Sequence, residues 1–213
     1  MYSRYRVAFF LRFLLVLAVV SFAGNRLARA EDGEEAGQLV AAIAGEAMQT
    51  FAGTTLTPVD RVAKLRDFID KYGDFRLSGR EVLGRYWDQA SPAQQERFGE
   101  LFRDYVLGSW SNHLTDIPSG QHIDVVSSEV NASGRILVHS RAVTPTGSAL
   151  VDWTVVRGPA GRLAVIDVTA EGVSVIRTMK ADFTAIIRAN GGSIEALLDV
   201  LGKKVADFHA STQ

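Results

Sequence analysis

The chain of 213 residues contains no cysteine. This absence excludes disulfide bonds, thiol nucleophiles and metal sites built on thiolates. The chain also has no run of basic residues, and residues 31–213 carry more acidic than basic side chains. Five of the 23 basic residues and none of the 24 acidic residues lie within residues 1–30, so residues 31–213 carry a net charge of −6. This balance argues against a nucleic acid as the partner.

The common catalytic and nucleotide-binding motifs are absent too. The sequence has no Gly-x-Ser-x-Gly nucleophile elbow, no P-loop and no Gly-x-Gly-x-x-Gly dinucleotide fingerprint. Its histidines are scattered, and none has a second metal ligand four residues away. The four are His113, His122, His139 and His209. We therefore predict no metal, no cofactor and no catalytic residue.

The first 30 residues have the pattern of a secretory signal peptide. Three arginines within the first 12 residues are followed by Phe13–Ala23, an uncharged apolar run. That run of about 11 residues is shorter than the roughly 20 that a membrane-spanning helix needs. Small residues at Ala28 and Ala30 predict cleavage before Glu31 and export to the periplasm. The alternative is an uncleaved N-terminal anchor.

Residues 31–213 are predicted to form one domain with helices at both ends. Apolar residues at helical spacing, together with capping residues, mark these helices. They are Glu34–Phe51, a helix from Pro58 to Gly73, a short helix that stops near Ala90, a long helix opened by the capping box Ser91–Gln94, and two C-terminal helices capped by Ser174 and Ser193.

The middle of the chain alternates apolar and polar residues at the spacing of β-strands. Short turn-rich spacers separate the runs, so consecutive strands are expected to pair as an antiparallel meander. The four predicted strands are His122–Val130, Arg135–Thr144, Ser148–Arg157 and Arg162–Glu171. Helices, then a meander, then helices predict an α+β fold in which helices cover one face of the sheet.

Two segments resemble a known family. The first comprises Val82–Trp87 followed by a helix that carries Phe98 and Phe102. The second and more specific one comprises Val151–Trp153 and then Gly161–Ser174, which contains an Asp-Val-x-x-Glu-Gly-Val-Ser pattern. Together they resemble the MlaC (toluene-tolerance) family over roughly Phe68–Leu201. Trp110 and the residues Val165-Ile166 before Asp167 depart from the pattern expected in that family, which leaves the identity of the cargo open.

The resemblance implies a monomeric periplasmic lipid carrier without enzymatic activity. Its fold would be NTF2-like, a curved sheet wrapped by helices around an apolar pocket. The carrier would shuttle phospholipid between an outer-membrane lipoprotein and porin complex and the substrate-binding ring of an inner-membrane ABC transporter. One branch of the family accompanies hopanoid biosynthesis, so a hopanoid is the alternative cargo.

A lipid pocket requires apolar side chains from the helices and from the sheet. We predict that fourteen residues line it: Leu83, Tyr86, Trp87, Phe98, Phe102, Tyr105, Val106, Val138, Trp153, Val155, Val165, Phe183, Ile187 and Leu198. Periodicity alone does not distinguish a hollow interior from a packed one, so this prediction depends on the resemblance.

The polar residues of the second segment are predicted to be structural. Asp167 is in register with Leu163 and Val165 and is expected on their face, where it would accept hydrogen bonds from backbone N–H groups or from Arg177. Glu171 and Gly172 would form the corner between strand and helix, with Gly172 in an unusual backbone conformation.

Two other functions compete with the carrier. An NTF2-fold enzyme such as an isomerase would use Asp167 in an apolar pocket, with Asp152, Tyr86 and Tyr105 as further candidates. A module that only bridges membrane complexes would have a packed interior and no bound lipid.

Overall fold

The structure is a computed structural model that describes residues 29–111, 120–159 and 161–211. Almost all of the predicted signal peptide, residues 1–28, lies outside this part, as does His113. The signal peptide and the boundaries of the predicted domain therefore stay predictions.

The described part of the chain contains six helices, which pack on the sheet or on one another. They are α1 (29–51), α2 (Pro58–Tyr72), α3 (Phe75–Leu83), α4 (Pro92–Ser111), α5 (Val175–Ala189) and α6 (Ile194–Ser211). A 3₁₀ turn over Gly84–Tyr86 follows α3, so the short third helix ends earlier than predicted. Gly84 ends it with a φ of 53°, a conformation that favours glycine. Within the described residues, no helix combines the length and the apolar character needed to cross a membrane.

Side-chain caps fix the starts of these helices. The hydroxyl of Thr57 accepts a hydrogen bond from the backbone N–H of Asp60, ahead of Pro58 at the first helical position. Ser91 and Gln94 form the predicted capping box, because each side chain accepts a hydrogen bond from the backbone N–H of the other. These local signals explain why the predicted starts of α2 and α4 are confirmed.

The sheet is an antiparallel meander of five strands rather than four. The strands, in spatial and chain order, are β1 (His122–Val130), β2 (Ile136–Thr144), β3 (Gly147–Arg157), β4 (Leu163–Ala170) and β5 (Val173–Ser174). The prediction of four strands was wrong because β5 has only two residues, too few for a recognisable alternation.

A tight turn creates the fifth strand. Glu171 and Gly172 have φ angles of 48° and 79°, as expected for the two central residues of a type I′ hairpin turn. Glu171 is held in this conformation by Leu150, whose N–H donates to the Glu171 carboxylate at 2.6 Å and whose carbonyl accepts the Glu171 N–H at 3.0 Å. The turn pairs Ala170 with Val173 and delivers the chain to α5.

Three apolar clusters form the interior. The first cluster joins α3, α4, α5 and α6 and contains Phe98, Phe102 and Phe183. The second cluster packs α1 against β2, β3 and β4 and contains Val138 and Val155. A smaller third cluster joins α1, α2 and α4. The space between these three clusters is not filled by side chains.

Candidate functional site: an apolar cavity

A cavity of about 380 Å³ lies between the helices and the sheet. Its wall is formed by α1, α2, α4, the starts of α3 and α5, and parts of β1, β3 and β4. Each of the helices α1 and α2 contributes more apolar residues to the wall than any other element, namely Ile43, Ala44, Ala47, Met48 and Phe51 from α1 and Leu65, Phe68, Ile69 and Tyr72 from α2. The opposite wall contains Phe75, Phe102, Val106, Trp110, Ile123, Trp153, Val165, Ile166, Val168, Val175, Ile176 and Met179.

Most of the few polar side chains in the wall have partners within the fold. The buried Ser78 hydroxyl donates to the carbonyl of Ile166 at 3.1 Å and so joins α3 to β4. The Asp74 carboxylate caps α3 by accepting the N–H of Leu77 at 2.9 Å. A ligand in the cavity therefore meets mainly apolar surface.

Asp167 also lies in the cavity wall, where it caps α5. Its carboxylate accepts the hydroxyl of Ser174 at 2.6 Å and the backbone N–H of Ile176 at 3.0 Å. The Ser174 hydroxyl in turn accepts the N–H of Arg177 at 3.0 Å. This arrangement agrees with the predicted structural role of Asp167 as an acceptor of backbone N–H groups, and with Ser174 as the cap.

The predicted orientation of Asp167 was wrong. A register shift opposite the step from Thr154 to Val155 pairs Val165 with Val155 but Asp167 with Thr154. Residues paired across antiparallel strands share a face of the sheet, so this bulge moves Asp167 off the face of Val165. Strict alternation could not reveal the extra residue.

An ionic contact joins α1 to α2 beside the cavity. Glu46 accepts the hydroxyl of Tyr72 at 2.5 Å and pairs with the ammonium of Lys71 at 2.6 Å. The hydrogen bond from Lys71, followed by that from Tyr72, lowers the pKa of Glu46. The same contact with Glu46 raises the pKa of Tyr72, because the phenol is held as a donor.

Four of the fourteen predicted pocket residues line the cavity: Phe102, Val106, Trp153 and Val165. The other ten lie elsewhere, which corrects the prediction. Eight of them belong to or pack on the first cluster: Leu83, Tyr86, Trp87, Phe98, Tyr105, Phe183, Ile187 and Leu198. The last two, Val138 and Val155, belong to the second cluster. They are apolar because they fill the interior between elements.

The prediction from the sequence missed the part of the cavity wall that α1 and α2 form. The apolar stripes of these helices were visible in the sequence as Ile43, Ala47 and Phe51 and as Leu65, Phe68 and Ile69. Their spacing is that of any helix packed on a core, so no local signal separates cavity wall from core. The small residues Ala44 and Ala47 on α1 leave room beside it.

The residues proposed for an isomerase do not come together. Asp167 lines the cavity, whereas Asp152, Tyr86 and Tyr105 lie outside its lining. Asp152 is paired with His139 at 2.8 Å. The Tyr86 hydroxyl accepts a hydrogen bond from Arg85 at 3.0 Å, which lowers the pKa of Tyr86. In the described part of the chain, no group of three or more His, Asp or Glu side chains is placed to hold a metal ion.

Comparisons with known proteins agree with this architecture. A crystal structure of a phospholipid-binding protein from Ralstonia solanacearum, in complex with a phospholipid, superposes with a TM-score of 0.69 at 22% sequence identity. The match covers 81% of this chain and 97% of the other. The family model described as MlaC protein matches residues 42–203, which is most of the chain. The chain is therefore a member of the MlaC protein family.

Proposed function

We propose that this protein is a periplasmic carrier that binds phospholipid with its acyl portion in the cavity and its headgroup in solvent. The observation that carries the proposal is an apolar cavity of about 380 Å³, in whose wall Asp74, Ser78 and Asp167 are hydrogen-bonded within the fold. Membership of the MlaC protein family and the phospholipid in the Ralstonia solanacearum protein support it.

The energetics of lipid transport require such a cavity. Each methylene removed from water contributes about 0.8 kcal/mol, so each acyl chain of about sixteen carbons carries on the order of 13 kcal/mol. A surface patch cannot compensate for this penalty during transit through water. An enclosed apolar space can do so, provided that it offers no unpaired polar group to the chains.

Further features of the proposal rest on the family resemblance. The protein acts as a monomer after removal of its signal peptide. It exchanges lipid with an outer-membrane lipoprotein and porin complex and with the substrate-binding ring of an inner-membrane ABC transporter. The NTF2-like relation of the fold stays a prediction. A hopanoid is the alternative cargo, and it would occupy the same cavity.

The decisive experiment identifies what the cavity holds. The protein is purified from a bacterial periplasm, weighed by native mass spectrometry and extracted with solvent to identify any adduct. Ala47 lines the cavity on α1, so Ala47→Trp fills part of it and should abolish the adduct. Ala41 is exposed on the same helix and lies outside the lining, so Ala41→Trp is the matched control.

The outcomes separate the competing functions. A stoichiometric phospholipid that is lost in Ala47→Trp and retained in Ala41→Trp supports the carrier. A hopanoid with the same pattern changes the cargo and keeps the mechanism. A folded wild-type protein without an adduct, even after incubation with phospholipid vesicles, contradicts the carrier and favours a bridging module or an enzyme.

A further inference from the structure

We infer that Trp153 limits the length of the acyl chain that the cavity accepts, and that Ser140 positions it for this role. The inference rests on the proposed function, because it concerns the specificity of the same cavity. It assigns the side chain of Trp153 to the boundary between the cavity and the second cluster.

Trp153 contacts the space on both sides of that boundary. Its side chain lines the cavity and also packs against the second cluster. In the sheet it is paired with Val138, a fully buried member of that cluster. A chain that extends across the cavity toward the sheet therefore meets the indole ring before it could reach the cluster behind.

The indole ring is fixed by a buried serine. The Trp153 Nε1–H donates to the hydroxyl of Ser140 at 2.9 Å, and this hydroxyl donates to the carbonyl of Val151 at 2.6 Å. Ser140 is only 1% exposed, so water does not compete for either hydrogen bond. An apolar residue at this position would leave the indole N–H without its acceptor. This hydrogen bond holds the indole ring in one orientation, so the ring forms a rigid part of the cavity wall.

The cavity volume sets the expected length limit. A protein cavity of about 150 Å³ takes one benzene, which has six carbons. On that scale, the volume of about 380 Å³ corresponds to about fifteen carbons, or one acyl chain of common length. A single-chain lipid is therefore a suitable probe, because its tail matches the cavity volume.

The test measures affinity against chain length. Lysophosphatidylcholines with saturated chains of about 12 to about 20 carbons are titrated against the full-length mature protein, below the concentration at which each forms micelles. For the wild type, affinity should rise about fourfold per added methylene and then level off near about fifteen carbons. The length at which it levels off is the quantity compared between variants.

Trp153→Leu removes the wall, and Trp87→Leu is the matched control. Trp87 is buried in the first cluster and does not line the cavity. The leucine side chain has about six fewer heavy atoms, so Trp153→Leu should move the limit to longer chains, by at most about six carbons. Trp87→Leu should lower stability and leave the limit unchanged. Ser140→Ala should keep wild-type affinity for short chains and blur the limit, because the ring is free to turn.

Each outcome decides the inference. An unchanged limit in a folded Trp153→Leu variant, or an equal shift in Trp87→Leu, overturns the inference while the carrier function stands. A folded wild type that binds no member of the series overturns the carrier function and the inference with it. If Trp153→Leu does not fold, Trp153→Phe replaces it. The smaller ring should shift the limit in the same direction by a smaller amount, and an unchanged limit again overturns the inference.

Discussion

The hydroxyl of Tyr72 on α2 donates a hydrogen bond of 2.5 Å to the carboxylate of Glu46 on α1. Both helices line the cavity, and Lys71 pairs with the same carboxylate. The contact therefore joins two walls that would have to separate if the cavity opened between them. Its strength depends on the charge of Glu46, which makes it sensitive to acid.

Glu46→Gln should lower the melting temperature at neutral pH but not in strong acid. The pKa of Glu46 is lowered in the folded protein from its ordinary value of 4.5, so the contact stabilises the fold fully above that value. The stabilisation is lost as the pH falls through the lowered pKa, where the carboxylate gains a proton. Thermal melts of wild type and variant from neutral to strongly acidic pH check this.

The difference in melting temperature between the wild type and Glu46→Gln should be largest at neutral pH and should disappear in strong acid. Glu34→Gln is a suitable control, because Glu34 is exposed on the same helix and lies outside the cavity lining. It should follow the wild type at every pH at which Glu46→Gln differs. If this difference in melting temperature stays constant down to strong acid, the ionic contact of Glu46 does not cause it.

Asp167→Asn should destabilise the protein and leave lipid binding intact. The amide retains one oxygen for the N–H of Ile176 but presents an N–H₂ group where Ser174 needs an acceptor. The loss of a charged cap and of one partly buried hydrogen bond costs about 1–2 kcal/mol. Urea denaturation measures this loss. Asp152→Asn is the control, because its partly exposed pair with His139 contributes at most about 1 kcal/mol.

The outcome at Asp167 also separates a carrier from an enzyme. A variant that keeps the wild-type free energy of unfolding but loses a measurable turnover would assign chemistry to Asp167. A variant that loses stability and still carries phospholipid would leave the carboxylate as the cap of α5.

Local signals explain how much of the fold was predictable. Pro58, Ser91 and Ser193 mark helix starts within a few residues of sequence, and the predicted caps form in the structure. Features that depend on distant partners were not predictable in the same way. The strand β5 exists because Val173 pairs with Ala170, and Glu171 turns there because Leu150 binds its carboxylate.

The sequence predicted an apolar cavity but not where in the fold it lies. Resemblance to a lipid-carrier family indicated an apolar pocket, and Trp153 and Phe102, two of the residues predicted to line it, lie in the wall of this cavity. Phe183 and Leu198 have the same apolar character and spacing, yet they are packed in the first cluster. The difference lies in how closely neighbouring helices approach, and no single side chain encodes that distance.

Two glycines should respond in opposite directions to alanine. A Cβ at Gly73, in the cavity wall, would lie 2.8 Å from the backbone oxygen of Ile69, so Gly73→Ala forces the chain apart. We expect it to lose about 1–3 kcal/mol. Gly45 is exposed in the middle of α1 with open space around it, so Gly45→Ala should gain about 0.5–1 kcal/mol. Urea denaturation of the two variants checks both signs.

Substitutions at Phe102 and Phe183 should have the same effect on stability but different effects on chain-length specificity. Their rings meet edge to face with centroids 6.4 Å apart in the first cluster, but only Phe102 also lines the cavity. Replacing either by leucine should cost about 1–3 kcal/mol of unfolding free energy, because each change removes ring contacts from a packed core. Only Phe102→Leu should also move the length at which lysophosphatidylcholine affinity levels off. A comparable shift in Phe183→Leu would mean that bound lipid reaches into the first cluster, and that the cavity expands on binding.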